Sequence, residues 1–149
     1  MDFDGVLHPP KAIAGAQPPL SPAQIKAGWP DTLQHLPVLQ EMLTGHSEIA
    51  IVVSSSWRLY LDDSELQELL QPLALWFAGS VRKGRRDEAI TEWLGQHDID
   101  NYVILDDVVK FFPGTWPNLI VCNSKLGLSD PLVQARLQHW ITHKEMLRQ

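Results

Sequence analysis

The chain predicts an α/β fold in which a parallel sheet is covered by helices on both faces, and three observations predict it. Short β-branched runs, "EIAIVV", "NYVILDD" and "NLIVCNS", alternate with stretches whose apolar residues recur at helical spacing. Polar clusters follow these runs directly, where ligands of such sheets bind. At 149 residues, 44% hydrophobic and 20% charged, the chain fits one domain spanning residues 1–149.

The elements follow in order. "MDFDGV" is an acid turn: Asp2 and Asp4 flank Phe3, and Gly5 follows. Residues 8–30 hold Pro9, Pro10, Pro18, Pro19, Pro22 and Pro30 and are expected to be irregular loop. "DTLQHLPVLQEMLTG" spaces Leu36, Leu39, Met42 and Leu43 as a helix that ends at Gly45, with Pro37 near its start. Glu48 to Val53 reads as a buried strand running into "SSSWR". In "DDSELQELLQP", Asp62 caps a helix with Glu65 three positions on, and Pro72 stops it.

"LALWFAGSV" fits a buried helix end or a strand, and the strand is the preferred reading. "RRDEAITEWLGQ" is a helix with Ile90, Trp93 and Leu94 on one side. "NYVILDD" and "NLIVCNS" are strands. "SDPLVQARLQHWITHKEML" is a closing helix, with Ser129 as cap and Pro131 in the first turn.

Composition narrows the function classes. The net charge of -6 gives no overall attraction for nucleic acid or acidic membranes, although "RKGRR" (Arg82 to Arg86) runs against it. Cys122 is alone, which excludes an internal disulfide and suits a reducing compartment. No apolar run approaches the roughly 20 residues that span a bilayer. The start lacks a basic segment followed by an apolar core, so no secretory signal is expected. A cytoplasmic protein is the expectation, without membrane partners and with its oligomeric state left open.

The clusters each have a plain explanation and a chemical one. Asp2 and Asp4 read either as a solvated turn or as catalytic acids. Ser54, Ser55 and Ser56 read as a helix cap or as anion-binding hydroxyls. "RKGRR" reads as a solvated turn, a nucleic-acid contact or a source of cations for a site. Asp62 and Asp63 read as helix capping. Asp106 and Asp107 differ, because adjacent carboxylates ending an apolar strand repel unless a cation or proton intervenes. Their order along the chain supplies what phosphoryl transfer needs. A carboxylate attacks phosphorus only when the phosphoryl charge is neutralised, and a hard cation such as Mg²⁺ suits oxygen ligands of this kind.

"DFDGV", "IVVSSSWR", the basic run and "VILDD" resemble, in order, the four motifs of the haloacid dehalogenase-like (HAD) superfamily. "DFDGVLHP" with "SSSWR", "EWL…VILDD" and "LGLSD" is similar to the HAD domain of Swiss-Army-knife RNA repair proteins, from Asp2 to about Asp130. The resemblance implies a three-layer Rossmann-like sheet and a Mg²⁺-dependent phosphatase working through an aspartyl-phosphate. It implies Asp2 as nucleophile and Asp4 as general acid/base, its carbonyl also touching the metal. Ser54, or in another register Ser55, matches the phosphoryl-binding hydroxyl. Arg86 or Lys83 matches the cation, Asp107 the direct metal ligand and Asp106 its support. Trp57 and Arg58 belong to the subgroup signature without an assigned role, and His8, near the turn, reads either as a substrate contact or as a loop histidine with no such job.

The gaps at residues 6–47 and 58–82 are too short for the large cap domain that such enzymes insert. An open site suits a bulky phosphomonoester, such as a nucleic acid end or a phosphoprotein, and also admits small phosphomonoesters. The pattern departs at its start, where family members have an apolar strand and this chain has Met1. A first strand is therefore expected to be missing, either because the chain starts at an internal methionine or because it is a truncated relative. The alternative expectation is an inactive or truncated HAD-like binding module.

Overall fold

The computed structural model describes residues 1–10 and 20–146. Helix α1 (Pro22–Gly28) lies inside the stretch expected to be loop. The same residues that argue for a loop start this helix: Pro22 occupies its first turn, where no N–H is needed, and Ser21 and Gln24 form a reciprocal capping box. Residues 11–19 of the expected loop lie outside the described residues.

Helix α2 (Leu36–Leu43) follows the apolar spacing and carries Pro37 in its first turn. Strand β1 (Ile51–Val53) is only the second half of its apolar run. Helix α3 (Asp63–Leu69) begins at the capping box of Asp62 and Glu65. Strand β2 (Phe77–Ser80), helix α4 (Arg86–Gln96), strand β3 (Ile104–Asp106) and strand β4 (Leu119–Val121) come next. Helix α5 (Pro131–His143) is capped by Asp130 rather than Ser129. Asp130 adjoins the helix and accepts from the Leu132 N–H at 2.9 Å, whereas the Ser129 hydroxyl donates backwards to the Leu126 carbonyl. No helix among the described residues is long and apolar enough to cross a membrane.

Strands β1 and β2 form one parallel pair, and β3 and β4 another. The first two residues join them. The Met1 amine donates to the Val52 carbonyl at 2.8 Å, and the Ser54 N–H donates to the Met1 carbonyl at 3.0 Å. On the other side the Asp2 N–H donates to the Leu105 carbonyl at 3.0 Å. Met1 and Asp2 thus pair like the last two residues of a strand between β1 and β3.

Behind Met1 the sheet is open. A cavity of about 410 Å³ lies there, lined by Ile51 and Val52 from β1, Val103 and Leu105 around β3, and Leu39 and Leu137 from the helices. Backbone groups alternate sides along a strand. The Ile51 N–H and Val53 carbonyl bond towards β2, so those of Val52 face the gap. The Ile104 N–H and Asp106 carbonyl bond towards β4, so those of Leu105 face it too. Burial lowers the Met1 amine to about 6.

The acid turn is held by its own apolar residues. Phe3, Val6 and Leu7 are fully buried among Leu66, Leu69, Ile120 and Leu128. The Val6 and Leu7 carbonyls accept from the Leu128 and His35 N–H groups, each at 2.9 Å. A Cβ on Gly127 would overlap the Val6 carbonyl, so "LGLSD" packs backbone to backbone against the turn.

Candidate active site

Three carboxylates converge where the joining residues meet the end of β3. Asp2, Asp106 and Asp107 each offer an oxygen, and these oxygens lie within 4.8 Å of one another. Asp2 and Asp106 are buried. The Asp2 carboxylate is fixed by the Phe3 N–H at 2.8 Å, and that of Asp106 by the Val108 N–H at 2.9 Å. Arg86, first residue of α4, inserts its guanidinium between them, 2.6 Å from Asp106 Oδ2 and 3.3 Å from Asp2 Oδ2. It also stacks on the Phe111 ring, 4.6 Å from the centroid. Burial alone would lower the Arg86 pKa, and the Asp2 and Asp106 carboxylates reverse the effect.

The cluster is short of positive charge. Three carboxylates against one guanidinium leave a formal charge of 1 − 3 = −2. Burial, then the Asp106 carboxylate, push the Asp2 carboxyl up to about 7. Burial and Asp106 raise Asp107 as well. Asp107 Oδ1 is buried with no hydrogen-bond partner. The formal charge is −2 once all three carboxyls are ionised. An orphaned carboxylate oxygen in such an all-oxygen set fits a hard divalent cation that would take the place of the retained proton. Gly5 makes the arrangement sterically feasible. Its φ is +76°, and a Cβ there would overlap the Asp107 carboxylate.

Asp4 stands apart from this cluster. Its Oδ1 lies 2.7 Å from His8 Nε2, and its Oδ2 accepts from Trp57 Nε1–H at 3.1 Å. One third of the side chain stays exposed. His8 is fully buried, so it faces Asp4 rather than solvent or substrate, against the expectation that it could contact substrate.

The hydroxyls and cations sort as follows. Ser54 Oγ accepts from the Met1 amine at 3.1 Å, while Ser55 Oγ accepts from the Trp57 N–H and caps a short 3-10 turn (Ser56–Leu59). The partners of both hydroxyls lie outside the carboxylate cluster. Lys83 is exposed, its carbonyl taken by Arg82 Nη1, and of the two candidate cations only Arg86 enters the cluster. Arg58 is buried and donates to four carbonyls: Ser54 (2.6 Å), Ser55 (3.0 Å), Arg82 (3.1 Å) and Gly84 (3.0 Å). It ties the turn after β1 to the basic turn that delivers Arg86. Sequence reasoning left Trp57 and Arg58 without roles. Their signal was an aromatic and an arginine set directly behind a strand-end hydroxyl run.

The model of one protein family, described as the HAD domain in Swiss Army Knife RNA repair proteins, matches residues 1–133. No curated protein and no solved structure matches the chain. The matched span contains the acid turn, the Ser54–Arg58 turn, Arg86 and both strand-end aspartates, so the geometry and the family model bear on the same residues. The chain belongs to the family of HAD domains found in Swiss Army Knife RNA repair proteins.

Proposed function

We propose that the chain is a Mg²⁺-dependent phosphohydrolase of three-layer Rossmann-like architecture, with Asp2 as nucleophile. The observation that carries this reading is the buried Asp2 carboxyl beside Arg86, Asp106 and Asp107. The carboxylates of Asp2, Asp106 and Asp107 would hold Mg²⁺, which supplies the positive charge that lets an anionic carboxylate meet an anionic phosphoryl group.

Arg86, rather than Lys83, holds a phosphoryl oxygen and orients the phosphorus towards Asp2. Ser54 keeps its own O–H to donate to another phosphoryl oxygen, because its contact with Met1 uses only its acceptor side. In the first step an Asp2 oxygen bonds to phosphorus and the bond to the leaving oxygen breaks. Asp4 gives its proton to that oxygen. In the second step water attacks phosphorus, its proton passes to the Asp4 carboxylate, and the bond between Asp2 and phosphorus breaks. Phosphate leaves and Asp4 is again protonated.

The segments around the site support a bulky substrate. Among the described residues only α1 and α2 lie between the acid turn and β1, and only α3 with short 3-10 turns lies between β1 and β2. A phosphorylated nucleic acid end is the favoured substrate, given the repair proteins in which this family occurs. The test is hydrolysis of a generic aryl phosphate with and without Mg²⁺, on this chain and on Asp2→Asn. Metal-dependent turnover that the variant loses is expected, by about 10³-fold or more. Undiminished turnover by the variant would sink the assignment.

A further inference from the structure

We infer that His8, together with Trp57, is a positioning residue for Asp4, locking the carboxyl that exchanges protons with the leaving oxygen and the attacking water. This rests on the phosphohydrolase reading and deepens it. The geometry is specific. Each Asp4 oxygen takes one donor, Oδ1 from His8 and Oδ2 from Trp57. Those donors come from opposite sides of the sequence gap between the acid turn and the turn after β1. A carboxyl on a half-open loop otherwise samples several rotamers. Two donors leave one, yet each oxygen retains a lone pair that can hold a proton.

His8 is itself fixed from both ends. The Leu33 N–H donates to its Nδ1 at 3.1 Å, which places the ring proton on Nε2, facing Asp4. A ring protonated on both nitrogens would set Nδ1–H against the Leu33 N–H. The His8 carbonyl accepts from the Gly5 N–H at 2.7 Å, closing the loop that carries Asp4. The ring also packs on Trp57, 5.4 Å between centroids. Fully buried, His8 reaches no substrate and acts through Asp4 alone. Any fully buried histidine needs both ring nitrogens paired. What a core-filling histidine does not need is a second donor, Trp57 Nε1, converging on the same carboxyl.

The test exploits what Asp4 does for the leaving oxygen. An alkyl phosphate needs a proton there as its P–O bond breaks, whereas 2,4-dinitrophenolate leaves without one. The ratio kcat/KM covers the steps up to that departure, so the later water attack does not enter. His8→Leu should lower kcat/KM about 10- to 100-fold for an alkyl phosphate, and about threefold or less for dinitrophenyl phosphate. His8→Gln, which keeps an N–H donor, should recover most of the loss. Trp57→Phe, which keeps a ring against Phe3, should show the same substrate split, and it carries the test if His8→Leu fails to fold. Equal losses on both substrates, or none, would overturn the inference while leaving the nucleophile assignment intact. A silent wild type, or an active Asp2→Asn, would overturn the reading beneath it.

Discussion

Burial and the neighbouring Asp106 carboxylate hold the Asp2 carboxyl at about 7 without metal, against an ordinary value of 3.8. Between those values the folded chain keeps a proton that the unfolded chain has released. The stability from this group is therefore complete at low pH and is lost as pH rises towards about 7. The Met1 amine works the other way: lowered from 8.0 to about 6, it adds stability as pH rises between those values. From about pH 4.5 to 6 Asp107, raised by burial and Asp106, acts in the same direction as Asp2, while His35, lowered by burial, opposes them. With two carboxyls against one imidazole, the melting temperature in chelator should fall across that window. Mg²⁺ should raise it more at about pH 7.5 than at about pH 4.5, and Asp2→Asn should flatten both trends. Thermal melts check this, and a metal-free melting temperature that climbs over the lower window contradicts it. At this scale Asp106 and Asp107 were legible, because a carboxyl pair ending an apolar run is conspicuous in a sequence, whereas Asp2 and Asp4, preceded only by Met1, stood out through the family resemblance. His8, Trp57 and Arg58 were not, since their roles depend on contacts with residues up to 53 positions away.

Arg58 matters through the two turns it connects. Its guanidinium spans the 3-10 turn behind β1 and the basic turn ahead of α4, bonding carbonyls of both. A lysine ammonium is a single point and cannot reach all four. Arg58→Lys should cost about 2 kcal/mol in denaturant unfolding and should lower turnover by releasing the turn that aims Arg86. An unchanged unfolding midpoint would contradict the clamp. Most elements were readable from spacing and caps: the Asp62/Glu65 box opens α3, and Pro37 sits in the first turn of α2. Helix α1 was hidden because proline density is shared by loops and helix starts, and only the Ser21–Gln24 reciprocity separates them. The cap of α5 shifted by one residue for a similar reason, two adjacent polar residues competing for one N–H.

Across the whole molecule, the sheet consists of two strand pairs held together by Met1 and Asp2, with an apolar cavity behind them. The Val52 and Leu105 N–H groups are those a further parallel strand would engage, their carbonyls already accepting from Met1 and Asp2. A variant carrying four apolar β-formers ahead of Met1 should therefore be more stable. Burying each side chain contributes about 1.5–3 kcal/mol, against about 1–2 kcal/mol for ordering each residue. The net should raise the melting temperature by roughly 4 °C or more. Four serines in the same positions should give no gain, and equal behaviour of the two extensions would contradict the docking. The sheet's parallel character was legible from the strand runs. The cavity was not, because it is a property of what two distant strands leave between them.

The joint between the strand pairs has a mechanical consequence. Shear or twist of one half of the sheet relative to the other loads the peptide that links Met1 to Asp2, since that peptide is bonded to β1 on one side and β3 on the other. The proposed nucleophile, Asp2, is thus mounted on the joint between the two strand pairs. Stiffening the joint and aiming the carboxylate are one and the same act.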